Sequence, residues 1–293
     1  MSTSLLSKIA FWQKSPKSHR VLGVYVGKHS LWVYQHDDDI DAQSAVEFPV
    51  VEEDWQATFS AITQHMDAAK LQLVLSNHYY QLLTVDKPNV EASEIAQALL
   101  WSIKDMVSIP VTQIHLDYFE SPVANNKLTV AVVDRTLLAS MVMGIVAAGF
   151  EVNGISIEEL AISNLFDNDN APRLVIQHTL AQELLLTVVK AGEPYMQRRI
   201  RGFNELDKIS AQDLAYGVAD NLSLEIQRSM DYFESQLRQS PVASIDFLVD
   251  GARSALVTLV AANFNQTVRE IECKTVGAKM AALALAEAQR ESA

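Results

Sequence analysis

The chain has 293 residues, with 23 lysines and arginines against 36 aspartates and glutamates, for a formal net charge of −13. Without a long basic cluster, this balance excludes general attraction to a nucleic-acid backbone. The longest apolar run, Leu137 to Phe150, is too short to span a membrane. A single cysteine, Cys273, excludes an internal disulfide and fits a reducing compartment. The ten glycines are about half the usual share of roughly 7%, which disfavours glycine-rich phosphate loops.

The N-terminal tail, residues 1–20, is basic and partly apolar. Lys8, Lys14 and Lys17 precede the first acidic residue, Asp37, and no small-residue cleavage site follows, so a signal peptide is not predicted and the protein is expected in the cytoplasm. The tail could lie on an anionic membrane surface or contact a partner; the alternative is a frayed, solvated end. Its apolar residues, which could form one face of a short helix, are Leu5, Leu6, Ile9, Phe11 and Trp12.

Beyond the tail, the hydrophobic pattern predicts three strands, one helix and a fourth strand, in the order β-β-β-α-β. The segment Asp37 to Asp41 is interpreted as a solvated hairpin turn, because it lacks the glycine and the glutamate of a calcium loop. The predicted strands are Val21 to Val26, Leu31 to His36, Ala45 to Val50 and Leu71 to Leu75, and the helix is Glu52 to Ala69.

The middle of the chain is predicted to be mixed α/β. Trp101 is expected to pack in a core rather than bind a ligand, and Met141 and Met143 are expected to fill one. The predicted strands are Gln81 to Val85, Gln113 to Tyr118, Leu128 to Val133 and one ending at Ile157; the helices are Ala92 to Met106, Arg135 to Gly149 and Glu158 to Phe166.

A polar cluster at Asp167 to Pro172 predicts a domain boundary. The β-β-β-α-β order then recurs, and its repetition in two domains is the plan of the actin-like α/β fold, in which ATP lies between duplicated halves. The second set comprises strands Leu174 to His178, Glu183 to Lys190 and Tyr195 to Ile200, a long helix from Ser210 to Gln239, and a strand Ile245 to Val249.

Three stretches resemble one family. They are VLGVYVGKHSLWVYQ from Val21, the two segments Leu99 to Tyr118 and Ala148 to Phe166, and NLSLEIQRSMDYFESQ from Asn221. The chain is similar to the PilM group of cytoplasmic, actin-like proteins of type IV pilus assembly, and most closely to its MshI branch, which serves the MSHA pilus. The resemblance implies an actin-like ATPase (ribonuclease H-like) fold.

The resemblance also implies a domain plan. The tail at 1–20 precedes domain I at 21–168. Domain I includes a PilM-type subdomain at about 84–134. Domain II covers 169–276, and a C-terminal helix at 277–293 returns to domain I.

An actin-like ATPase needs three short elements, and here each is altered. In the first, D-x-G-x-x-S, the carboxylate holds Mg²⁺ and the glycine lets backbone N–H groups reach phosphate; the matching residues are Tyr25, Gly27 and Ser30. The second, D-x-G, is replaced by Gln177 and His178. The third, a glycine pair near adenosine, retains one glycine in Asp250-Gly251-Ala252.

These changes predict a pseudo-ATPase with no catalytic residue, no metal site and no required cofactor; ATP with Mg²⁺ is disfavoured. Glu225 and Arg228 could contact adenosine or equally form an ion pair. The seven histidines show no metal-ligand spacing. If nucleotide binding is retained, the candidate residues are Gly23, Gly27, Ser30, Glu225, Arg228, Asp250 and Gly251.

The resemblance implies a docking role peripheral to the inner membrane. The expected partner is a PilN-like membrane protein whose cytoplasmic tail packs in a groove; other platform components, the motor ATPase or a second copy are further candidates. The rival hypothesis is an active ATPase whose nucleotide cycle regulates pilus assembly. The candidate groove residues are Val24, Val26, Trp32, Trp101, Ile114, Leu116 and Tyr118.

Overall fold

The computed structural model describes residues 20–35, 45–51, 54–123, 126–166 and 169–292. The predicted turn at Asp37 to Asp41 and the tail up to residue 19 lie outside these residues. Contacts divide the chain into a first unit of residues 1–158 with 280–293 and a second unit of residues 159–279. The dividing point therefore falls between Glu158 and Glu159, ahead of the polar cluster at Asp167. Within the described residues, no helix is both long and apolar enough to cross a membrane.

The first unit is built on a mixed five-stranded sheet in the order β3-β2-β1-β4-β8. The strand β1 lies in the centre of the sheet, and its residues are almost all buried. A nearly continuous apolar run suits this position, because both faces of a central strand are covered. It pairs antiparallel with β2 and parallel with β4. The strands are β1 (Val21–Val26), β2 (Ser30–Tyr34), β3 (Ala45–Pro49), β4 (Lys70–Leu75) and β8 (Glu151–Ile157).

Helices cover this sheet at positions where glycine permits close approach. A side chain at Gly23 of β1 would collide with the Ala281 carbonyl and lie 2.6 Å from the Leu285 nitrogen. A side chain at Gly144 would lie 2.6 Å from the Trp55 Cβ. The helices of this unit include α1 (Trp55–Ser60), α3 (Arg135–Ala147) and most of α8 (Val276–Ser292).

The predicted helix over residues 52–69 is wrong in extent. The Asp54 carboxylate caps α1 by accepting from the Ala57 N–H at 2.8 Å, but the helix ends at Ser60 and a single 3₁₀ turn follows at Ile62–Gln64. The His65 and Met66 N–H groups both donate to the Ile62 carbonyl. This tightening ends the helix before the chain enters β4.

A small antiparallel sheet in the order β5-β7-β6 forms the rest of the first unit. One face of α2 packs on it through Leu99 and Ile103. Trp101 lies on the opposite face and is 63% exposed, so the expectation that it packs in a core is wrong. The elements are β5 (Tyr80–Asp86), α2 (Ile95–Ile103), a 3₁₀ turn (Val111–Gln113), β6 (Ile114–Glu120) and β7 (Lys127–Asp134).

The methionine pair of α3 is also split between core and surface. Met141 is buried, as expected, whereas Met143 is exposed. Two residues apart on a helix, the side chains point about 200° apart, so one apolar face cannot accommodate both.

The second unit repeats a mixed five-stranded sheet, in the order β11-β10-β9-β12-β13. Both neighbours of β9 are buried, β10 antiparallel to it and β12 parallel. The strands are β9 (Arg173–Gln177), β10 (Leu184–Lys190), β11 (Glu193–Ile200), β12 (Ser244–Leu248) and β13 (Thr267–Glu270).

The predicted continuous helix from Ser210 to Gln239 is interrupted. Gly217 has a φ of +100° and Tyr216 has a ψ of 40°, which breaks the helix at a conformation that glycine tolerates best. Sequence analysis did not predict α7 or β13. The helices are α4 (Glu158–Ala161), continued by a 3₁₀ turn (Ile162–Leu165); a 3₁₀ turn (Leu206–Lys208); α5 (Ala211–Asp213); a π segment (Leu214–Val218); α6 (Ala219–Asp231); a second π segment (Tyr232–Gln236); and α7 (Arg253–Ala261).

Candidate functional site

The turn between β1 and β2 lies where the first nucleotide element is expected, and it is closed by backbone contacts. The Gly27 N–H donates to the Ser30 carbonyl at 2.9 Å. A Cβ at Gly27 would lie 2.9 Å from that oxygen and 3.2 Å from the Trp32 ring, so only glycine fits. The Tyr79 hydroxyl donates to the Gly27 carbonyl at 3.0 Å, and burial raises the pKa of Tyr79 to about 12. The Tyr79 hydroxyl, which stays protonated at neutral pH, therefore fixes the backbone of the turn at Gly27.

Tyr25 occupies the first position of the D-x-G-x-x-S pattern, where a carboxylate was expected. Its side chain is fully buried, and its hydroxyl donates to Glu158 Oε1 at 2.5 Å. Glu158, which ends the first of the two segments of the first unit, is equally buried. The acidic side chain at this place thus belongs to Glu158, which the Tyr25 hydroxyl contacts directly.

The tip of the turn is cationic. Lys28 and His29 are exposed at the two positions between Gly27 and Ser30. Partial burial, then the charges of Lys28 and His29, lower the pKa of His78 on the neighbouring loop. The first turn therefore presents an exposed lysine at its tip.

The second element lies in the second unit, at the carboxyl end of β9. His178 is buried, and its ring nitrogens make no hydrogen bond of good geometry among the described residues, although the backbone of Asn204 and Phe203 lies close to the ring. Its Nδ1 lies 3.8 Å from Asp207 Oδ1. Burial lowers the pKa of His178, and this outweighs the opposing attraction of Asp207 and Asp250. A neutral imidazole at this position supplies no anion for a metal and no backbone opening for phosphate.

Gln177, the residue before His178, is equally buried. Its Nε2 donates to the Thr179 hydroxyl at 3.0 Å, and its Oε1 has no partner among the residues described. A buried amide therefore lies at the end of β9, where the D-x-G element would begin with an aspartate.

The third element is occupied by contacts within the second unit. Gly251 has a φ of +82°, and a Cβ there would collide with the Asp207 backbone. Asp250 accepts from the Val276 N–H at 3.1 Å, at the start of α8, and its Oδ1 lies 3.6 Å from the Arg253 guanidinium. Burial raises the pKa of Asp250. The glycine thus accommodates the chain's own backbone, and the aspartate caps a helix.

Glu225 and Arg228 form an ion pair on α6. Glu225 Oε2 also accepts from Arg198 of β11 at 2.7 Å. Arg198 in turn donates to the Ser229 hydroxyl at 3.1 Å. The two interpretations of Glu225 and Arg228 were an adenosine contact and an ion pair. The structure shows the ion pair, and Arg198 joins it as a third residue.

The structure separates the remaining candidate residues by exposure. Gly23 faces the backbone of α8, and Val24, Val26 and Ile114 are fully buried. Trp32 is half-buried, with its ring 5.8 Å from that of Tyr25. Leu116 and Tyr118 are half-buried against the core of the small sheet, and only Trp101 is strongly exposed.

Two acidic residues that shape these elements escaped the sequence reasoning. Glu158 receives the Tyr25 hydroxyl and Asp207 lies against Gly251 and His178. The acidic pair Glu158 and Glu159 inside an apolar stretch was an available signal, because buried carboxylates require partners. Asp207 carried no such signal, since it lies in a polar segment.

Together, the two five-stranded mixed sheets and the small antiparallel sheet define an actin-like ATPase fold. A chain of the PilM–PilN type IV pilus biogenesis complex matches with a TM-score of 0.64 and 15% identity, over 94% of this chain and 99% of that one. The cytoplasmic domain of EpsL, an inner membrane component of the type II secretion system of Vibrio cholerae, matches with a TM-score of 0.56 and 15% identity, covering 92% and 95%.

A third similar structure is a Bacteroides thetaiotaomicron protein with an actin-like ATPase fold and unknown function. Its TM-score is 0.52 at 10% identity, with 90% of this chain and 95% of that one covered. No family model and no curated protein sequence matches the chain. At these identities, the comparisons establish the fold.

Proposed function

We propose that the protein is a cytoplasmic docking component of an inner-membrane platform for type IV pilus assembly, of the MSHA type, located peripherally at the membrane. Its partner is the cytoplasmic tail of a PilN-like membrane protein. The observation that carries this proposal is the match to a chain of the PilM–PilN complex over nearly the full length of both chains. The match to the cytoplasmic domain of EpsL supports the same class of role.

We also propose that the protein does not hydrolyse ATP. The residues at the three elements do not fit Mg²⁺ with a nucleotide. Tyr25 replaces the metal-binding carboxylate and is bonded to Glu158, and the Asp207 backbone lies against Gly251. Among the described residues, no group of three or more His, Cys, Asp or Glu side chains is placed to hold a metal ion.

Binding of the full chain to a synthetic peptide with the tail sequence of a PilN-like protein tests the docking role. Isothermal titration calorimetry gives the affinity. Trp101→Ala removes the most exposed of the candidate groove side chains and is expected to weaken binding about tenfold, as for an aromatic hot spot. Met143→Ala, an exposed apolar change on α3, is the matched control. Wild-type protein that binds no such peptide contradicts the proposal.

A titration with a fluorescent ATP analogue and Mg²⁺ tests the pseudo-ATPase proposal separately. The expected result is no Mg²⁺-dependent binding and no phosphate release. The intact Gly27 turn is the observation that favours the rival, an ATPase whose cycle regulates assembly. Tight Mg²⁺-dependent binding with turnover would establish that rival and would leave the docking result unaffected.

A further inference from the structure

The outward side of helix α6 carries apolar side chains that its own unit does not use. Leu224 is 57% exposed and Tyr232, at the end of the helix, is 51% exposed; Tyr216, just before it, is 76% exposed. Residues on the opposite side, such as Leu222 and Ile226, supply the helix's contribution to the core. The three exposed side chains therefore contribute little to the hydrophobic core of the second unit.

Acidic side chains share this side of the helix. At 3.6 residues per turn, Asp220, Leu224 and Asp231 lie within about 40° of one another around the axis. The α6 face is defined here as Asp220, Leu224 and Asp231, with Tyr232 next to it, about 80° from Leu224 around the axis.

The backbone around the α6 face departs from regular helix at both ends. The break at Tyr216 and Gly217 precedes it, and a π segment follows it. Gly217 has open space around it, so no packing contact requires the break. Interruptions of this kind are frequent at functional sites.

The acidic charges of this face are not neutralised within the described parts of the chain. Asp220, Asp231 and Glu234 form no ion pair there, although Asp231 accepts from the Gln227 amide at 2.7 Å. The nearby cation, Arg228, is held by Glu225. The α6 face thus combines exposed apolar area with uncompensated negative charge, and a basic apolar segment complements both properties.

The other helices with exposed large apolar side chains lack this combination. Met143 and Val146 lie on α3, whose only charged residue is Arg135. The Trp101 ring on α2 lies under the Lys104 ammonium, 4.8 Å from the ring centre. A basic segment is favoured at α6 and disfavoured at the other two helices.

We propose that the α6 face binds residues 1–19 of a second copy of this chain. That segment carries Lys8, Lys14 and Lys17 and no acidic residue. In the sequence, its Leu5, Ile9 and Trp12 recur at positions i, i+4 and i+7, the spacing of one helix face. The contact joins different surfaces of two copies, so it links copies head to tail. It is independent of the proposed docking role.

Sedimentation velocity on the full chain tests this inference over increasing protein concentration at low and high salt. The expected result is self-association that weakens as salt screens the charges. Asp220→Lys with Asp231→Lys, and separately Lys8→Glu with Lys14→Glu, should each abolish it, and the combined variant should restore it. Leu224→Gln should weaken it about tenfold.

Met143→Gln is the matched control for loss of an exposed apolar side chain. Circular dichroism of each variant verifies that it is folded, because all of these positions in the described chain are exposed. The proposal is overturned by a wild-type chain that stays monomeric at all concentrations, or by association that folded α6 variants leave unchanged. Failure of the combined charge swap to restore association would also overturn it.

Discussion

The Tyr25 hydroxyl donates to Glu158 Oε1 at 2.5 Å, and both side chains are fully buried. Tyr25→Phe removes this donor and leaves the carboxylate with fewer hydrogen bonds, so unfolding should become easier by about 1–3 kcal/mol. Urea denaturation measures the change. Tyr216→Phe, at an exposed tyrosine, is the control and should stay within about 0.5 kcal/mol of wild type. Equal effects of the two substitutions would show that the buried bond contributes nothing.

Reintroducing the family's carboxylate at the same position should fail to rebuild a metal site. Tyr25→Asp removes a buried ring and places a second acid near Glu158, so a loss of at least about 3 kcal/mol is expected. Thermal unfolding with and without Mg²⁺ and ATP measures it. A stable variant that Mg²⁺ and ATP stabilise further would contradict this prediction.

Gly23 should tolerate no side chain. In Gly23→Ala, the new methyl group would meet the Ala281 carbonyl and the Leu285 nitrogen, and the helix backbone cannot give way locally. We expect a loss above about 3 kcal/mol, or failure to fold, as in overpacked cores. Gly202→Ala is the control. Its φ is +92° with open space around it, so the cost there should be only about 1 kcal/mol. Chemical denaturation of both variants decides the comparison.

Arg199 compensates a buried acid. Its guanidinium lies 2.5 Å from Glu159 Oε1, and the Glu159 side chain is 1% exposed. Arg199→Met should cost about 3–5 kcal/mol, since it leaves a buried carboxylate without its cation. Arg201, two residues further along the chain, provides a matched control, because it pairs with Glu183 while 91% exposed. Arg201→Met should cost less than about 1 kcal/mol in the same denaturation experiment.

His178 should make the protein less stable in mild acid. Burial lowers its pKa, so the folded state keeps the ring neutral where the unfolded state, with an ordinary value of 6.5, takes up a proton. The free energy of unfolding is therefore highest above pH 6.5 and falls as pH drops through the interval down to the lowered pKa.

Denaturation at a series of pH values measures this effect, with His178→Gln as the comparison. His78 and His115 have lowered pKa values as well, so the informative quantity is the difference between the two proteins. That difference should shrink as the pH falls. Parallel pH profiles would show that His178 does not titrate differently on folding.

Much of the fold followed from hydrophobic period. Strands such as Val21–Val26 and Leu184–Lys190 are nearly continuous apolar runs, and such runs have few alternatives in a buried sheet. The errors came where a local feature overrode the period. Gly217 broke a helix whose apolar pattern continued on both sides. Trp101 pointed outward although its type favours burial.

The sequence alone identifies the residues at the three candidate elements, but it does not identify what those residues contact. The missing carboxylate at Tyr25 and the altered Gln177 and His178 are visible in the sequence. The side chains that contact these residues, Glu158 at Tyr25 and Asp207 at His178, are distant from them in the chain. Glu158 is brought to Tyr25 by the pairing of β1, β4 and β8 in one sheet, and no local pattern reports such a pairing.

The packing of α8 against Gly23 constrains how the polypeptide can be made. The β1 strand leaves a ribosome before Ala281 and Leu285, which follow every described strand and every other described helix. Helix α8 can therefore pack on the first sheet only after all the strands of that sheet have been synthesised. A nascent chain that lacks α8 would leave the face of β1 at Gly23 without the helix that covers it.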